Sequence, residues 1–72
     1  MYNAHDTIDN RKLVKAMTQK GMKTSALASQ TGITACTISH LRTGNRNTCL
    51  KTTTFRIADA LGIEPSEIVS EV

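Results

Sequence analysis

The chain has 72 residues, a formal net charge of +3, 39% hydrophobic residues, one Phe, one Tyr and no Trp. That length supports one domain with an aliphatic core and no more, and no apolar run reaches the ~18 residues a membrane span needs. The opening MYNAHDTIDN lacks the charged-then-apolar order of a signal peptide, so the expected location is the cytoplasm.

Charge is unevenly laid out. All nine basic residues lie from Arg11 to Arg56 with no acid among them, and the six acids, Asp6, Asp9, Asp59, Glu64, Glu67 and Glu71, flank that stretch. A basic middle suits a polyanionic partner; a solvated surface is the plain alternative. Cys36 and Cys49 form no Cys-x-x-Cys pair and have no histidine set at zinc spacing. They are expected to be free thiols, with no metal and no cofactor.

Residues 1–9 read as an N-terminal tail that includes His5. A first helix is expected from Asn10 to Lys20, with Leu13, Val14 and Met17 as its apolar stripe and Arg11, Lys12 and Lys15 facing away. Asp6, Thr7 and Asp9 compete to cap it. Gly21 follows. Thr24 reads as the cap of a second helix, Ser25–Thr31, with Leu27 and Ala28 inward, ended by Gly32. Thr34 caps a third, Ala35–Thr43, with Ile38 and Leu41 inward, ended by Gly44.

A polar loop, Asn45–Thr48, leads to a fourth helix in which Leu50, Thr54, Ile57, Ala58 and Leu61 recur at helical spacing with Phe55 alongside. The run Thr52-Thr53-Thr54 weakens its first turn. After Gly62, the stretch Glu64-Pro65-Ser66-Glu67 starts a fifth helix, docked by Ile68 and Val69. Residues 70–72 are expected to fray, and the segment from Ile68 to Val72 is a candidate to pair with a second chain. No segment shows strand alternation. The expected fold is all-α, a compact bundle of about five short helices over residues 10–69.

Two short helices joined by a glycine turn form the helix-turn-helix pattern. Ala28 is small where the helices cross, Gly32 makes the turn, and Ile33 plugs the core beneath it. Leu27-Ala28, Gly32-Ile33, Thr37-Ile38-Ser39, Gly44 and the run Ile57-Ala58-Asp59-Ala60-Leu61-Gly62-Ile63 together resemble the Cro/CI-type phage repressor helix-turn-helix (XRE-like) family.

The resemblance implies a recognition helix, Ala35–Thr43, laid in the major groove of double-stranded DNA. By position, Thr24 and Thr34 would meet phosphates, and Ala35, Cys36 and His40 would face base edges. Thr43, Asn45, Arg46 and Asn47 would grip the backbone, and Arg42 stands beside them. Thr37 and Ser39 complete the candidate surface. The reading positions depart from strong base readers such as Arg, Lys, Asn and Gln. Relatives also often carry an acid two residues before the glycine, where this chain has Arg42.

The function this implies is a DNA-binding transcriptional regulator of a phage lysis–lysogeny switch or related bacterial element, acting in a bacterial host cell as a homodimer on paired half-sites. Two alternatives stay open. One is a modulator or antirepressor that docks on a partner repressor protein through the same surface; the other is a small antitoxin. No nucleophile-and-base set or phosphate loop points to an enzyme or a small-molecule substrate.

Overall fold

The computed structural model of the chain describes residues 4–70. Four helices follow the apolar spacing of the sequence: α1 (Asn10–Lys20), α2 (Thr24–Thr31), α3 (Ala35–Thr43) and α4 (Lys51–Leu61). Asp9 is the cap of α1, its carboxylate accepting from the backbone N–H of Arg11 (3.0 Å) and Lys12 (3.4 Å). Thr34 caps α3 as expected, its Oγ1 accepting from the N–H of Thr37. Thr24 does not cap α2. Lys23 holds that position without a side-chain bond, and Thr24 is the first helical residue.

One apolar cluster joins the helices. Leu13, Leu27, Ile38, Leu41, Ile57 and Ile68 are wholly buried, with Met17, Ala58 and Leu61 beside them. Thr31, a buried hydroxyl, secures the turn between α2 and α3. Its Oγ1 donates to the Leu27 carbonyl (2.7 Å) and accepts from the Ile33 N–H (3.2 Å), so neither partner is left unsatisfied under the turn. Gly32 follows at φ 73°, a left-handed conformation that a side chain would strain.

The ends of the chain differ from the sequence reading. Residues 4–9 are built into the fold and are not a tail. A strand β1 (His5–Thr7) pairs antiparallel with β2 (Thr48–Leu50), in the register His5 to Leu50, Asp6 to Cys49 and Thr7 to Thr48. Lys51 Nζ closes the pair on Asp6 at 2.7 Å. Ile8 is only 3% exposed and bridges to Val69. Its N–H donates to the Asn47 carbonyl, and the Ser70 N–H donates to the Thr7 carbonyl (2.8 Å). Three-residue strands are too short to show alternation, and pairing across more than 40 positions leaves no local signal.

The same contacts occupy Val69 and Ser70 within the chain, so these two residues neither fray nor await a second chain; residues 71 and 72 lie outside the described residues. The expected fifth helix is a single 3-10 turn, Pro65–Glu67, held by reciprocal bonds between Glu64 and Glu67. Lys12, expected to face away, is half-buried, and its Nζ donates to the Val69 carbonyl (3.3 Å). In α4 the residues Thr54, Ile57, Ala58 and Leu61 are buried as expected, whereas Phe55 is 62% exposed; Leu50, expected in this helix, ends β2 instead and is 49% exposed. No helix among the described residues is long and apolar enough to cross a membrane.

If β1 and Ile8 belong to the core, Ile8→Ala lowers unfolding stability by about 2–5 kcal/mol, the cost of truncating a buried aliphatic residue. Urea denaturation measures it. A loss below about 0.5 kcal/mol, the scale of a surface change, would return residues 4–9 to the status of a tail.

Candidate nucleic-acid interface

α3 owes its orientation to two residues. Ile38 and Leu41, three apart, are both at 0% exposure and pin one side of the helix to the core. The opposite side is thereby turned outward. Ala35, Cys36, Ser39 and Thr43 are exposed there, with Thr37 and His40 half-buried at its margins. The start of α3 is sealed by Thr34, whose Oγ1 also meets Thr37 Oγ1 at 2.8 Å. The first turn of the helix thus presents small side chains and, beneath them, the backbone N–H groups that favour anions.

Cys36 and His40, one turn apart, lie together on this side, with Sγ 3.7 Å from Nε2. Nothing in the sequence beyond their four-residue spacing signals the contact. Thr43 turns its hydroxyl back onto the helix, donating to the carbonyls of Ser39 (3.1 Å) and His40 (3.4 Å). That bond orients the side chain at the end of α3.

The loop after Gly44 is anchored at several points. The Arg46 N–H donates to the His40 carbonyl (3.1 Å), and its Nε donates to the Thr48 carbonyl (3.0 Å). The Asn47 carbonyl accepts from Ile8 (2.6 Å). Asn45, Arg46 and Asn47 remain exposed. Arg46 is therefore held by its Nε while its terminal amino groups extend beyond the anchor. That pre-organised charge is well suited to a phosphate.

Thr24 and Arg42 are where the sequence reading is most changed. They were expected as separate groups, and the fold joins them. Arg42 Nη1 donates to Thr24 Oγ1 at 2.6 Å, tying the last turn of α3 to the first turn of α2. Arg42 Nε is buried without a hydrogen-bond partner among the described residues. Asn10 Nδ2 reaches the Arg42 carbonyl at 3.4 Å, and the Asn10 side chain packs over Gly44. This brace ties the end of α3 to α2 and to α1. Its members lie 18 and 32 positions apart, so no local pattern could have paired them.

Helix, cap, brace and loop thus bring Thr24, Thr34, Ala35, Cys36, Ser39, His40, Arg42, Thr43 and the 45–47 loop to the α3 side of the fold. The fold is a helix-turn-helix bundle with a small two-stranded sheet packed on α4. The chain belongs to the Cro/C1-type helix-turn-helix DNA-binding domain family, whose model matches residues 12–71. Among solved structures it is similar to the restriction-modification controller protein C.AhdI from Aeromonas hydrophila. The two are 29% identical with a TM-score of 0.74, over 81% of this chain and 86% of that one. No curated protein matches. The chain is thus a regulator of the DNA-binding Cro/C1 class.

The two thiols have opposite environments. Cys36 is exposed, while Cys49 is 2% exposed with its Sγ 3.1 Å from Thr54 Oγ1. Burial pushes the Cys49 thiol above its ordinary value, with the Asp6 charge adding to the rise against the lowering effects of Thr54 and Arg46. Burial thus favours the protonated, unreactive form of the Cys49 thiol. A maleimide at pH 7 is expected to label Cys36 in the native protein and Cys49 only after denaturation, as read by mass spectrometry. Native labelling of both at similar rates would contradict the burial of β2.

Proposed function

We propose that the chain is a sequence-specific transcriptional regulator that lays the outward side of α3 in the major groove, acting on a small genetic switch. That switch belongs to a temperate phage or to a related bacterial element, such as the restriction–modification locus that the name of C.AhdI denotes. One observation carries the reading. Ile38 and Leu41 commit the inner side of α3 to the core, and Ala35, Cys36 and Ser39 are left outward beside an anchored, exposed Arg46.

Within this reading the roles divide by chemistry. Arg46, Asn45, Asn47 and the capped start of α3 at Thr34 position the protein on phosphates, which supply sequence-independent affinity. Ala35 and Cys36 let the helix approach closely and touch thymine methyls. His40 hydrogen-bonds a base edge, with Ser39 and Thr37 beside it. The brace from Arg42 to Thr24 fixes the entry angle. Two copies on paired half-sites, one helical turn apart, double the contact. A cytoplasmic location in a bacterial host follows from this role.

The test is a titration onto labelled DNA from beside the gene at several salt concentrations. Arg46→Ala is expected to weaken binding on every sequence alike and to reduce the salt slope by about one unit. His40→Ala is expected to relax preference at one base position, by about 1–3 kcal/mol. An unchanged salt slope would remove Arg46 from the phosphates. The outward side of α3 holds no Arg, Lys, Asn or Gln between Ala35 and Thr43 apart from the braced Arg42, which keeps the modulator reading in view. Absence of any sequence preference, with an altered repressor–DNA complex when the neighbouring repressor is added, would favour it.

A further inference from the structure

The outward side of α3 carries two side chains that can each give a lone pair to a metal ion. Cys36 is exposed and His40 half-buried, one helical turn apart, with Sγ 3.7 Å from Nε2. Residues four apart share a helix face, and that spacing lets paired side chains on a helix hold one ion. The separation decides the matter. Zinc bonds sulfur at about 2.3 Å and imidazole nitrogen at about 2.0–2.1 Å in a tetrahedral site, which sets the two donor atoms about 3.6 Å apart. Cys36 and His40 already stand at that span, so a small side-chain rotation turns both lone pairs onto one ion. The frame beneath them is held: Ile38 and Leu41 are sealed in the core, Thr34 caps the first turn, and the Arg46 N–H donates to the His40 carbonyl (3.1 Å). No acid lies between Ala35 and Asn47. Sulfur and nitrogen are thus the strong ligands on this side, a set that suits zinc-like ions over oxygen-seeking Mg2+ or Ca2+.

We infer that Cys36 and His40 form a two-point binding site for a divalent cation of the Zn2+ class. On binding, the Cys36 thiol releases its proton to solvent as the metal–sulfur bond forms, and His40 coordinates through the Nε2 lone pair with its proton on Nδ1. Among the described residues no group of three or more His, Cys, Asp or Glu side chains stands together. The chain therefore supplies two positions of a tetrahedral ion and water fills the rest, which makes the site weaker than a closed structural zinc site with four protein ligands. The expectation of no metal came from the lack of structural zinc spacings, and a single pair four residues apart is outside those patterns. Cys49, buried with its Sγ on Thr54, supplies no second thiol. The site does not require DNA. Its consequence rests on the proposed reading: an ion held there changes the charge and shape of the side of α3 that would enter the groove.

The test is calorimetric titration of the reduced, metal-free full chain with Zn2+ alone, without DNA, repeated with Co2+ by absorption spectroscopy. One ion per chain is expected, and with Co2+ a thiolate-to-metal charge-transfer band. Cys36→Ser and His40→Gln each weaken Zn2+ binding by about tenfold or more, at least the scale on which even the outer partners of a metal site act. Circular dichroism confirms that both variants fold. His5→Gln, on β1, leaves binding unchanged, and Zn2+ slows maleimide labelling of Cys36. No binding up to about 1 mM Zn2+ overturns the inference. So does binding that survives both substitutions, binding that Mg2+ reproduces, or one ion per two chains. A chain that binds Zn2+ as expected yet binds no DNA would sink only the functional reading.

Discussion

Everything the candidate interface can do depends on how α3 is pinned. Ile38 and Leu41 are sealed against the core, and burying two aliphatic side chains of this size contributes several kcal/mol. A nine-residue helix has no comparable internal stability. It persists, and faces the way it does, because those two residues and the Thr34 cap hold it. The brace from Arg42 to Thr24 then ties its last turn to the first turn of α2. Rotating α3 by one residue would bury Ser39 and Arg42, or Thr37 and His40, and expose Ile38 and Leu41 in their place. The outward surface is thus determined by the inward one.

Most of this was legible in the sequence because it is periodic. Leu13 and Met17, Leu27, Ile38 and Leu41, and Ile57, Ala58 and Leu61 recur at helical spacing, and glycines end all four helices. What could not be read lies where structure is non-local. The β1–β2 pair joins positions 43 residues apart at its centre, Asp6 and Cys49. The salt bridge from Lys51 to Asp6 spans 45. A hydrophobic stripe also cannot rank its own members. Phe55 looks as apolar as Ile57, yet a helix can turn only part of its circumference to one core. Within the site, the residue types of α3 were visible, and so was the cap at Thr34. The closure of Arg42 on Thr24 was not, because a solvent-facing arginine and a half-buried strut look alike in one dimension.

The plainness of the reading surface has a physical sense. Small residues at Ala35, Cys36 and Ser39 make few hydrogen bonds, but they allow a helix to lie deep in a groove. On the proposed reading, affinity comes from backbone contacts such as those open to Arg46, and discrimination shifts toward DNA shape and deformability. Such a regulator relies on accurate placement of its helix. That places weight on the brace and on the anchored 44–47 loop.

The most direct measurement is a two-dimensional NMR titration of the isotopically labelled protein with DNA from beside its gene. Insertion of α3 predicts that the largest amide shifts cluster at residues 34–47 and at 23–25, while those of residues 57–61 in α4 stay nearly still. Shifts concentrated elsewhere, or absent at protein concentrations where the neighbouring repressor still binds the same fragment, would contradict a DNA-reading role for α3.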